Sequence, residues 1–371
     1  MAMAISFELK ARDGAARRGL LRTGHGEVET PAFMPVGTLG TVKGLLPGQV
    51  WQAGASIVLG NTYHLHLRPG DDRIARLGGL HRFMNWQGSI LTDSGGYQVF
   101  SLAETRSISD SGVVFRSHVD GRMIDLTPEK AIAIQENLGS DIAMVLDECP
   151  PAECQETELE RAVARTISWA KRCRDAQTRL DQAQFAIVQG GLNMDLRRQC
   201  AQALVAMDFP GYALGGFSVG EKAGAMVEAL PACAAALPEL KPRYLMGVGR
   251  PEDILAAVAS GIDMFDCVLP TRNGRNGQAF TRDGELRLRN AAFRDDARPL
   301  DAECDCPACS GFSRAYIHHM LASREMLGPI LLSAHNIRFY QRMMAGAREA
   351  ITAGSFSAWR SGWLVADPCD L

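Results

Sequence analysis

The sequence contains no long apolar segment and no large excess of charge. No apolar run approaches the roughly 18 residues of a membrane-spanning helix, and Met1 to Arg12 lack the apolar core of a signal peptide. We therefore expect a cytoplasmic protein. The formal net charge of −3 argues against a protein that coats nucleic acid through bulk charge, so any polyanionic partner must be held by a local basic patch.

Repeats, low-complexity segments and flexible linkers are also absent from the 371 residues. The apolar fraction of 46% and the charged fraction of 22% are typical of a globular protein. The length allows one large α/β domain with an appendage, or two ordinary domains. Ten cysteines without a secretion signal are expected to be thiols or metal ligands rather than disulfides.

From Phe33 onward, short apolar runs alternate with amphipathic segments, which predicts a parallel β-sheet. Eight predicted strands suit a (β/α)8 TIM barrel, and an open doubly wound sheet is the alternative. The strands are predicted at Phe33 to Val36, Ser56 to Leu59, Ser89 to Thr92, Ile142 to Leu146, Gln184 to Val188, Tyr212 to Leu214, Arg243 to Met246 and Met264 to Val268. Helices are predicted at Pro128 to Leu138, Glu156 to Asp181, Met194 to Met207, Lys222 to Leu237 and Pro251 to Ser260.

Two hairpins and a group of helices complete the predicted elements. One hairpin follows the third strand, over Val113 to Leu126 with a turn at Asp120-Gly121, and the other covers Gln278 to Arg289. Further helical segments are predicted at Arg314 to Leu321, Arg324 to Ile330, Asn336 to Ala350 and Phe356 to Leu364.

The last predicted barrel strand carries a carboxylate, Asp266, within an apolar run. An unpaired charge buried there would cost several kcal/mol. It is either a core aspartate paired with an arginine or a functional group. Pro270 should end the strand pairing, and Thr271, Arg272 and Arg275 then have the composition of a loop that grips phosphates.

Polar residues and glycines follow the ends of the other strands, where the active site of a barrel forms. Acidic acceptors, a glutamine and glycine amides suit the pairing edge of a purine. Two of the aspartates can divide the work of nucleophile and general acid/base in glycosidic bond cleavage, although each alone could be a turn or helix N-cap residue. These positions are Asp93, Ser94, Gly95, Gly96, Tyr97, Asp147, Glu148, Cys149, Gln189, Gly190, Gly191, Gly215 and Gly216.

A short glycine-containing turn follows the seventh predicted strand, at Met246 to Arg250. It lacks the third glycine and the first-strand position of a dinucleotide-binding fingerprint, which argues against a nicotinamide cofactor. We expect the turn to hold a phosphate, helped by the N-terminus of the helix that starts at Pro251.

Three cysteines cluster at Cys304, Cys306 and Cys309, and His335 follows at the junction of two predicted helices. Three thiolates and one imidazole suit a closed, structural Zn²⁺ site, with His318 and His319 as alternative fourth ligands. We therefore expect residues 1–275 to form the catalytic barrel. Residues 276–371 should form a hairpin, an inserted zinc-binding subdomain and C-terminal helices packed on the barrel.

The motifs together resemble those of bacterial tRNA-guanine transglycosylases of the queuosine pathway. The resemblance implies exchange of the wobble guanine (position 34) in tRNAs with GUN anticodons (Asp, Asn, His, Tyr) for 7-aminomethyl-7-deazaguanine. It also implies double displacement through a covalent enzyme-tRNA intermediate, contact with the anticodon stem-loop, and a homodimer. The matching segments are Pro31 to Thr38, Leu59 to Leu65, Leu91 to Gln98, Tyr244 to Gly249, Phe265 to Arg272, Cys304 to Cys309 and His335.

The resemblance implies roles for individual residues. Asp266 resembles the nucleophile that attacks the ribose anomeric carbon, and Asp93 resembles the general acid/base. The implied substrate-binding set is Ser94, Gly95, Gly96, Tyr97, Asp147, Cys149, Gln189, Gly215, Gly216 and Met246. The implied RNA-binding set is Gly247, Val248, Gly249, Arg250, Thr271, Arg272, Asn273, Gly274 and Arg275.

The incoming base is predicted from the wall of its pocket. Val36, Cys149 and Val219 match family positions that flank the substituent of the base, and the volume of Val219 should exclude queuine while an aminomethyl group fits. Phe217-Ser218 departs from the Leu-Ala of bacterial relatives, and we expect the backbone role of that turn to be kept.

Three other functions compete with this one. An archaeal-type enzyme acting in the tRNA D-loop would carry extra C-terminal domains, whereas this sequence ends at Leu371. A non-catalytic RNA-binding subunit would not need both Asp93 and Asp266. An unrelated nucleoside hydrolase would have no use for the cysteine cluster or for Thr271 to Arg298, where seven arginines face four acids, a local charge of +3.

A stripe of Phe312, Tyr316 and His319 also follows helical spacing. The first expectation for such a stripe is burial in the core, and the second is a dimer interface.

Overall fold

A closed barrel of eight parallel strands forms the centre of the molecule. The computed structural model describes residues 4–97, 106–217, 220 and 224–363. All eight predicted strands are confirmed, with small shifts at their ends, and the open-sheet alternative is wrong. In barrel order the strands are Ala32–Gly37, Ile57–Gly60, Ser89–Thr92, Ile142–Met144, Ala183–Val188, Gly211–Leu214, Arg243–Leu245 and Met264–Cys267.

The strands are mostly apolar because a barrel strand is covered on both faces, by interior side chains and by outer helices. Phe33 and Phe265 are buried neighbours where the first and eighth strands pair. Gly211 leaves room for the ring of Phe185, which a Cβ at that position would approach to 2.4 Å. Close packing of this kind fixes the strand register and therefore which side chains reach each end of the barrel.

Helices surround the barrel. Each of the five helices predicted there is found, and four of them are somewhat shorter than predicted. The predicted start at Lys222 lies outside the described residues. No helix in the described part of the chain is long and apolar enough to cross a membrane. The helices up to the eighth strand are Pro47–Gln52, Thr62–Leu67, Asp71–Arg76, Gly79–Met84, Pro128–Leu138, Glu156–Ala176, Met194–Val205, Ala225–Ala235 and Pro251–Ala259.

An antiparallel sheet that the sequence analysis did not predict precedes the barrel, with strands Ser6–Asp13, Ala16–Thr23 and Gly26–Thr30. It contacts the N-terminal ends of the barrel strands. Arg17 Nε donates to Asp263 Oδ1 at 3.1 Å, immediately before the eighth strand. The sheet therefore covers the end of the barrel opposite the predicted active site.

The insertion after the third barrel strand is a three-stranded sheet of Arg106–Ser109, Gly112–Arg116 and Met123–Leu126. The predicted hairpin is confirmed, and a third strand precedes it. Beside this sheet, the Tyr63 hydroxyl lies 2.7 Å from His118 Nδ1. The insertion thus packs on the segment that follows the second barrel strand.

The C-terminal part contains the predicted hairpin and one helix that corrects the sequence analysis. Two predicted helices are a single one, Leu327–Thr352, and His335 lies inside it rather than at a junction. Tyr340 packs against Phe33 of the barrel, with ring centroids 4.6 Å apart. A domain boundary near residue 275 stays a prediction. The remaining elements are Leu269–Arg275, Gln278–Thr281, Gly284–Arg287, Ala291–Phe293, Pro307–Gly311, Arg314–Ala322 and Phe356–Trp363.

Candidate active site

The carboxyl ends of the barrel strands bring three buried aspartates together. Asp93 follows the third strand, Asp147 follows the fourth, and Asp266 lies on the eighth. The negative charges of Asp266 and Asp147 both act on Asp93. Three carboxylates that share one low-dielectric site cannot all ionise easily, so their individual surroundings decide which of them carries a charge.

Asp93 is held by the segment after the second strand. Thr62 N donates to Asp93 Oδ1 at 2.9 Å, and Asn61 Nδ2 donates to Oδ2 at 2.5 Å. Burial raises the pKa of Asp93 from 3.8 to about 7; the Thr62 amide opposes this rise, and the charge of Asp266 adds to it. A carboxyl group with such a pKa can both donate and accept a proton near neutral pH.

Among the described residues, Asp266 is held by neutral donors and not by a cation. The Tyr244 hydroxyl donates to Oδ1 at 2.5 Å and Gly247 N donates to the same oxygen at 2.7 Å. Oδ2 accepts no hydrogen bond from the described residues, and burial raises the pKa of Asp266. The interpretation of Asp266 as a core aspartate paired with arginine is therefore wrong, and its second oxygen is available for chemistry.

Asp147 has a different environment, in which both oxygens are fixed. Ser94 Oγ donates to Oδ1 at 2.9 Å, and Gln189 Nε2 donates to Oδ2 at 2.7 Å. An ionised carboxylate has about four acceptor positions, so each oxygen can still accept from a ligand. Gln189 Oε1 is buried and has no hydrogen-bond partner within the described ranges.

Glycines make room for this arrangement. A Cβ at Gly215 would lie 2.7 Å from Gln189 Nε2, and one at Gly216 would lie 2.4 Å from Gln189 Oε1. Gly216 also has a φ of 67°, which an L side chain rarely adopts. A Cβ at Gly96 would also be too close to a neighbour, because it would lie 2.9 Å from the carbonyl oxygen of Asp147. These three predicted glycines are required by packing around the polar side chains.

Arg197 makes hydrogen bonds to two of the glycine turns, and it is not among the residues predicted from the sequence. It is buried, and it donates to the carbonyl oxygens of Gly191 at 2.6 Å and Gly215 at 2.9 Å. Its guanidinium carbon lies 3.7 Å from the ring centroid of Phe217, a cation–π contact. Arg197 thus ties together the turns after the fifth and sixth strands. In the sequence, the one sign of this role is that the helix carrying Arg197 lies between the glycine pairs Gly190-Gly191 and Gly215-Gly216.

The turn at Gly247 to Arg250 contributes a hydrogen-bond donor to Asp266. Besides the amide of Gly247, the turn is held by Tyr340, whose hydroxyl donates to the Gly249 carbonyl oxygen at 2.5 Å. A Cβ at Gly249 would lie 2.4 Å from Cys267 Sγ, so Val248 and its neighbours are positioned by contacts on both sides. Phosphate binding by this turn stays a prediction.

Residues Thr271 to Arg275 form part of a helix, Leu269–Arg275, and not the predicted loop. Pro270 occupies the first helical turn, where its missing N–H has no cost. Thr271 and Gly274 are buried, Asn273 is partly buried, and a Cβ at Gly274 would lie 2.7 Å from Ser333 N of the long helix. The helix is therefore fixed against the C-terminal part.

Two arginines of this helix lie close together. Arg272 is exposed, while Arg275 is partly buried with its Nη1 unpartnered in the described part of the chain. Burial and the cation of Arg272 lower the pKa of Arg275. Two adjacent guanidinium groups of this kind favour an anion between them.

The other predicted substrate residues occupy mixed positions. Tyr97 is 50% exposed, and Met246 packs partly buried against the core. Burial raises the pKa of Cys149 to about 12, so its thiol stays protonated near neutral pH. Ser218 and Val219, on which the expected exclusion of queuine depends, lie outside the described residues.

The predicted metal ligands Cys304, Cys306, Cys309 and His335 lie within 4.8 Å of one another and are buried. His335 Nδ1 lies 3.2 Å from Cys309 Sγ and 3.5 Å from Cys306 Sγ. His335 Nε2 contacts the carbonyl oxygen of Phe280 at 2.8 Å, which fixes the tautomer that presents Nδ1 as a ligand. His318 Nδ1 instead contacts the carbonyl oxygen of Leu288. The cluster could bind a metal ion, and its donor set fits zinc.

Comparisons with known proteins identify the family of the chain. The family model described as "Queuine tRNA-ribosyltransferase" matches residues 13–368. Proteins of that name from Ruegeria pomeroyi and Brucella suis are each 53% identical to the chain, over 98% and 97% of its length and 97% of theirs. The one from Symbiobacterium thermophilum is 54% identical over 98% of the chain and 91% of its own length. The chain belongs to the queuine tRNA-ribosyltransferase family.

Proposed function

We propose that the protein is a tRNA-guanine transglycosylase that exchanges the guanine at wobble position 34 of GUN-anticodon tRNAs for 7-aminomethyl-7-deazaguanine. Family membership supports base exchange on tRNA. The choice of wobble position and of incoming base rests on the sequence motifs. An archaeal-type enzyme is disfavoured because proteins from two bacteria are 53% identical to the chain over nearly its whole length.

The observation that carries the mechanism is the difference between Asp266 and Asp93. The free Oδ2 of Asp266 attacks the anomeric carbon of the nucleotide, so that a C–O bond forms as the bond to guanine breaks. Asp93 gives a proton to the departing guanine, which its raised pKa allows at neutral pH. The incoming base returns a proton to Asp93 as it displaces Asp266, which leaves both carboxyl groups as they began.

The base is recognised at Asp147 and Gln189. A purine offers an N–H and an amino group on its pairing edge, and the remaining acceptor positions of Asp147 suit them. Gly216 contributes backbone groups, and Tyr97 and Met246 flank the base. The bonds from Ser94 and Gln189 hold the carboxylate before the base arrives, which reduces the cost of ordering it.

The tRNA backbone contacts the helix Leu269–Arg275 and the glycine turn. Arg272 and Arg275 follow shortly after the proposed nucleophile in the sequence, which supports the proposal that they lie near the reacting nucleotide. Several other arginines of the basic region are already engaged: Arg298 pairs with Asp296, and Arg282 lies over Trp363. The phosphate contacts should therefore concentrate on the helix Leu269–Arg275.

Zinc in the Cys304, Cys306, Cys309 and His335 cluster has a structural role. Four protein ligands leave no open position for catalysis. Asn336, next to His335, donates to the carbonyl oxygens of Pro270 and Gln278 and accepts from Phe280 N. The metal thus fastens the long helix Leu327–Thr352 at the point where it supports the helix Leu269–Arg275 and the hairpin.

A homodimer is the proposed assembly. Tyr316 and His319 are exposed, so the first expectation of a core stripe is wrong for these two residues. The rings of Phe312 and Tyr316 stack with centroids 5.2 Å apart. Exposed Tyr316 and His319, beside the half-buried Phe312, suit contact with a second copy.

Radiolabelled guanine tests the proposed reaction directly. The protein should transfer label into the anticodon loop of an unmodified GUN tRNA and not into the same tRNA with adenine at position 34. Label in the D-loop would indicate the archaeal-type activity, and no label in any tRNA would leave only an RNA-binding role.

A further inference from the structure

We propose that the protein binds a second divalent transition-metal ion, at a His25, His81 and Asp141 cluster on the N-terminal side of the barrel. The three residues come from three separate elements. His25 lies in the turn between the second and third strands of the N-terminal sheet, His81 lies in the helix Gly79–Met84, and Asp141 immediately precedes the fourth barrel strand. The cluster is at the opposite end of the strands from Asp93 and Asp266.

The three ligand atoms are close enough to share one metal ion. His25 Nδ1 lies 2.8 Å from Asp141 Oδ1, and His81 Nε2 lies 3.2 Å from Oδ2. All three ligand atoms lie within 4.8 Å of one another. In a tetrahedral zinc site with ligand bonds of about 2.0–2.1 Å, neighbouring ligand atoms are about 3.3 Å apart. An ion bound by both imidazoles would require the exposed His25 ring to turn out of its stack with His81, because each nitrogen binds a metal in the plane of its own ring.

The surroundings of the cluster also point to a cation. Asp141 is buried, and its carboxylate is oriented by Ile90 N, which donates to Oδ2 at 2.8 Å. His81 Nε2 is buried and makes no hydrogen bond in the described ranges, although it faces the carboxylate. A cation would contact both imidazole nitrogens and neutralise the buried carboxylate at once.

The donor set selects the class of metal. Two imidazole nitrogens and one carboxylate oxygen suit Zn²⁺ and its neighbours, whereas Mg²⁺ and Ca²⁺ prefer oxygen ligands alone. The His25 side chain is 45% exposed, so water can reach the fourth position. The ion would join the N-terminal sheet to the barrel and to a flanking helix. It would act as a clamp on the end of the barrel away from the chemistry.

A pair elsewhere in the chain provides a matched control. His66 Nδ1 lies 2.6 Å from Asp71 Oδ1, a similar histidine–aspartate contact, but this pair is not part of any three-ligand group among the described residues. His66→Ala therefore removes one imidazole from one aspartate without touching the proposed site. His25→Ala makes the same change at an exposed position within it.

Zinc stoichiometry by native mass spectrometry, after equilibration with excess Zn²⁺ and desalting, tests the proposal. We expect two zinc ions per chain in the unmodified protein and in His66→Ala, and one in His25→Ala. Added Co²⁺ should give visible absorption at the second site without the thiolate-to-cobalt charge transfer of the cysteine cluster. A single ion in the unmodified protein, or two in His25→Ala, would overturn the proposal.

A second readout separates a clamp from loose surface binding. Zn²⁺ should raise the melting temperature of the protein beyond the rise that saturates the cysteine cluster, and this additional rise should be absent in His25→Ala and present in His66→Ala. Equal additional rises in both variants would contradict a clamp at His25. Base exchange should be unchanged in both variants, because the site is remote from Asp266.

Discussion

Two buried aspartates on one short segment, Asp263 and Asp266, show how the same side chain is used in opposite ways at the two ends of a barrel. Asp263 is 0% exposed and lies at the N-terminal end, where Arg17 Nε donates to one oxygen at 3.1 Å and Arg243 N donates to the other at 2.8 Å. Asp266 lies toward the other end, where Tyr244 and Gly247 both donate to one oxygen.

The difference lies in what remains available on each carboxylate. Asp263 has a cation on one oxygen and an amide donor on the other, so it is neutralised and joins the N-terminal sheet to the barrel. Asp266 is oriented by a hydroxyl and an amide, and among the described residues no cation pairs with it and its second oxygen accepts no hydrogen bond. A buried carboxylate with a cationic partner is structural, and one held only by neutral donors is a candidate for chemistry.

The largest effect should come from Asp266→Asn. An amide cannot form the ribosyl ester, so we expect base exchange to be abolished while tRNA affinity is kept or rises slightly, because a negative charge near the RNA is removed. Exchange of labelled guanine and equilibrium binding of tRNA would be measured on the same preparation. Residual exchange at the unmodified rate would remove Asp266 from the role of nucleophile.

Asp93→Asn should reduce exchange by roughly 10² to 10⁴, the usual contribution of a general acid/base. The asparagine can still accept from Thr62 N, so the site should keep its shape. Single-turnover release of guanine isolates the affected step. A failure to bind tRNA, with an unchanged rate in the bound complex, would argue that Asp93 only supports the fold.

Asp263→Asn should affect stability and not chemistry. Removing one partner of a buried ion pair costs about 3–5 kcal/mol of the free energy of unfolding, because the charge of Arg17 is then left without compensation. Urea unfolding would measure this decrease, and kcat per folded molecule should stay near that of the unmodified protein. A fall in kcat as large as that of Asp93→Asn would show that the two ends of the barrel are not independent.

The pH dependence should distinguish Asp93 from an ordinary carboxylate. Its pKa is raised to about 7 in the folded protein from 3.8, so the folded state binds the proton more tightly than the unfolded chain. The contribution of Asp93 to stability is therefore full below about pH 4 and is lost as the pH rises through about 7. Guanine release should slow above about pH 7, and Asp93→Asn should flatten both profiles.

The smallest effect concerns Arg272 and Arg275. Replacing each by glutamine should weaken tRNA binding and reduce the slope of log affinity against log salt by roughly 0.7 to 0.9 for each phosphate that the arginine had neutralised. Arg298→Gln, at an arginine already paired with Asp296, is the matched control and should change the slope little. Equal slopes in all variants would mean that the helix Leu269–Arg275 is exposed to solvent and does not contact tRNA phosphates.

Periodicity was sufficient to predict the barrel because its strands are short apolar runs between helices. The N-terminal sheet was missed because its strands are mixed in polarity: Ala16–Thr23, for example, contains three arginines, one of which is buried through Asp263. The turn signal at Asp13-Gly14 was present, but an isolated signal of this kind does not predict a sheet. The sequence predicts two helices in place of the long one because Ser333 and His335 interrupt the apolar pattern before Asn336, and both are buried.

In the candidate site, strand-end positions were predictable and their partners were not. Asp93, Asp147 and Asp266 stand out as acids beside apolar runs. Tyr244, Asn61 and Arg197 do not, because their roles depend on contacts between strands that are distant in sequence. Asn61 reaches Asp93 across 32 positions, and Tyr244 reaches Asp266 across 22. These contacts form when the barrel closes, and they cannot be inferred from the order of residues in a single sequence.

The most direct test of the account is to isolate the covalent complex of the protein with tRNA. Incubation with unmodified GUN tRNA, denaturation at mildly acidic pH and mass spectrometry of the digested adduct should locate a ribosyl ester on Asp266 of the unmodified protein. No adduct should form with Asp266→Asn, whereas Asp263→Asn should form it normally. An adduct on any other residue, or one that persists in Asp266→Asn, would contradict the distinction between the two aspartates.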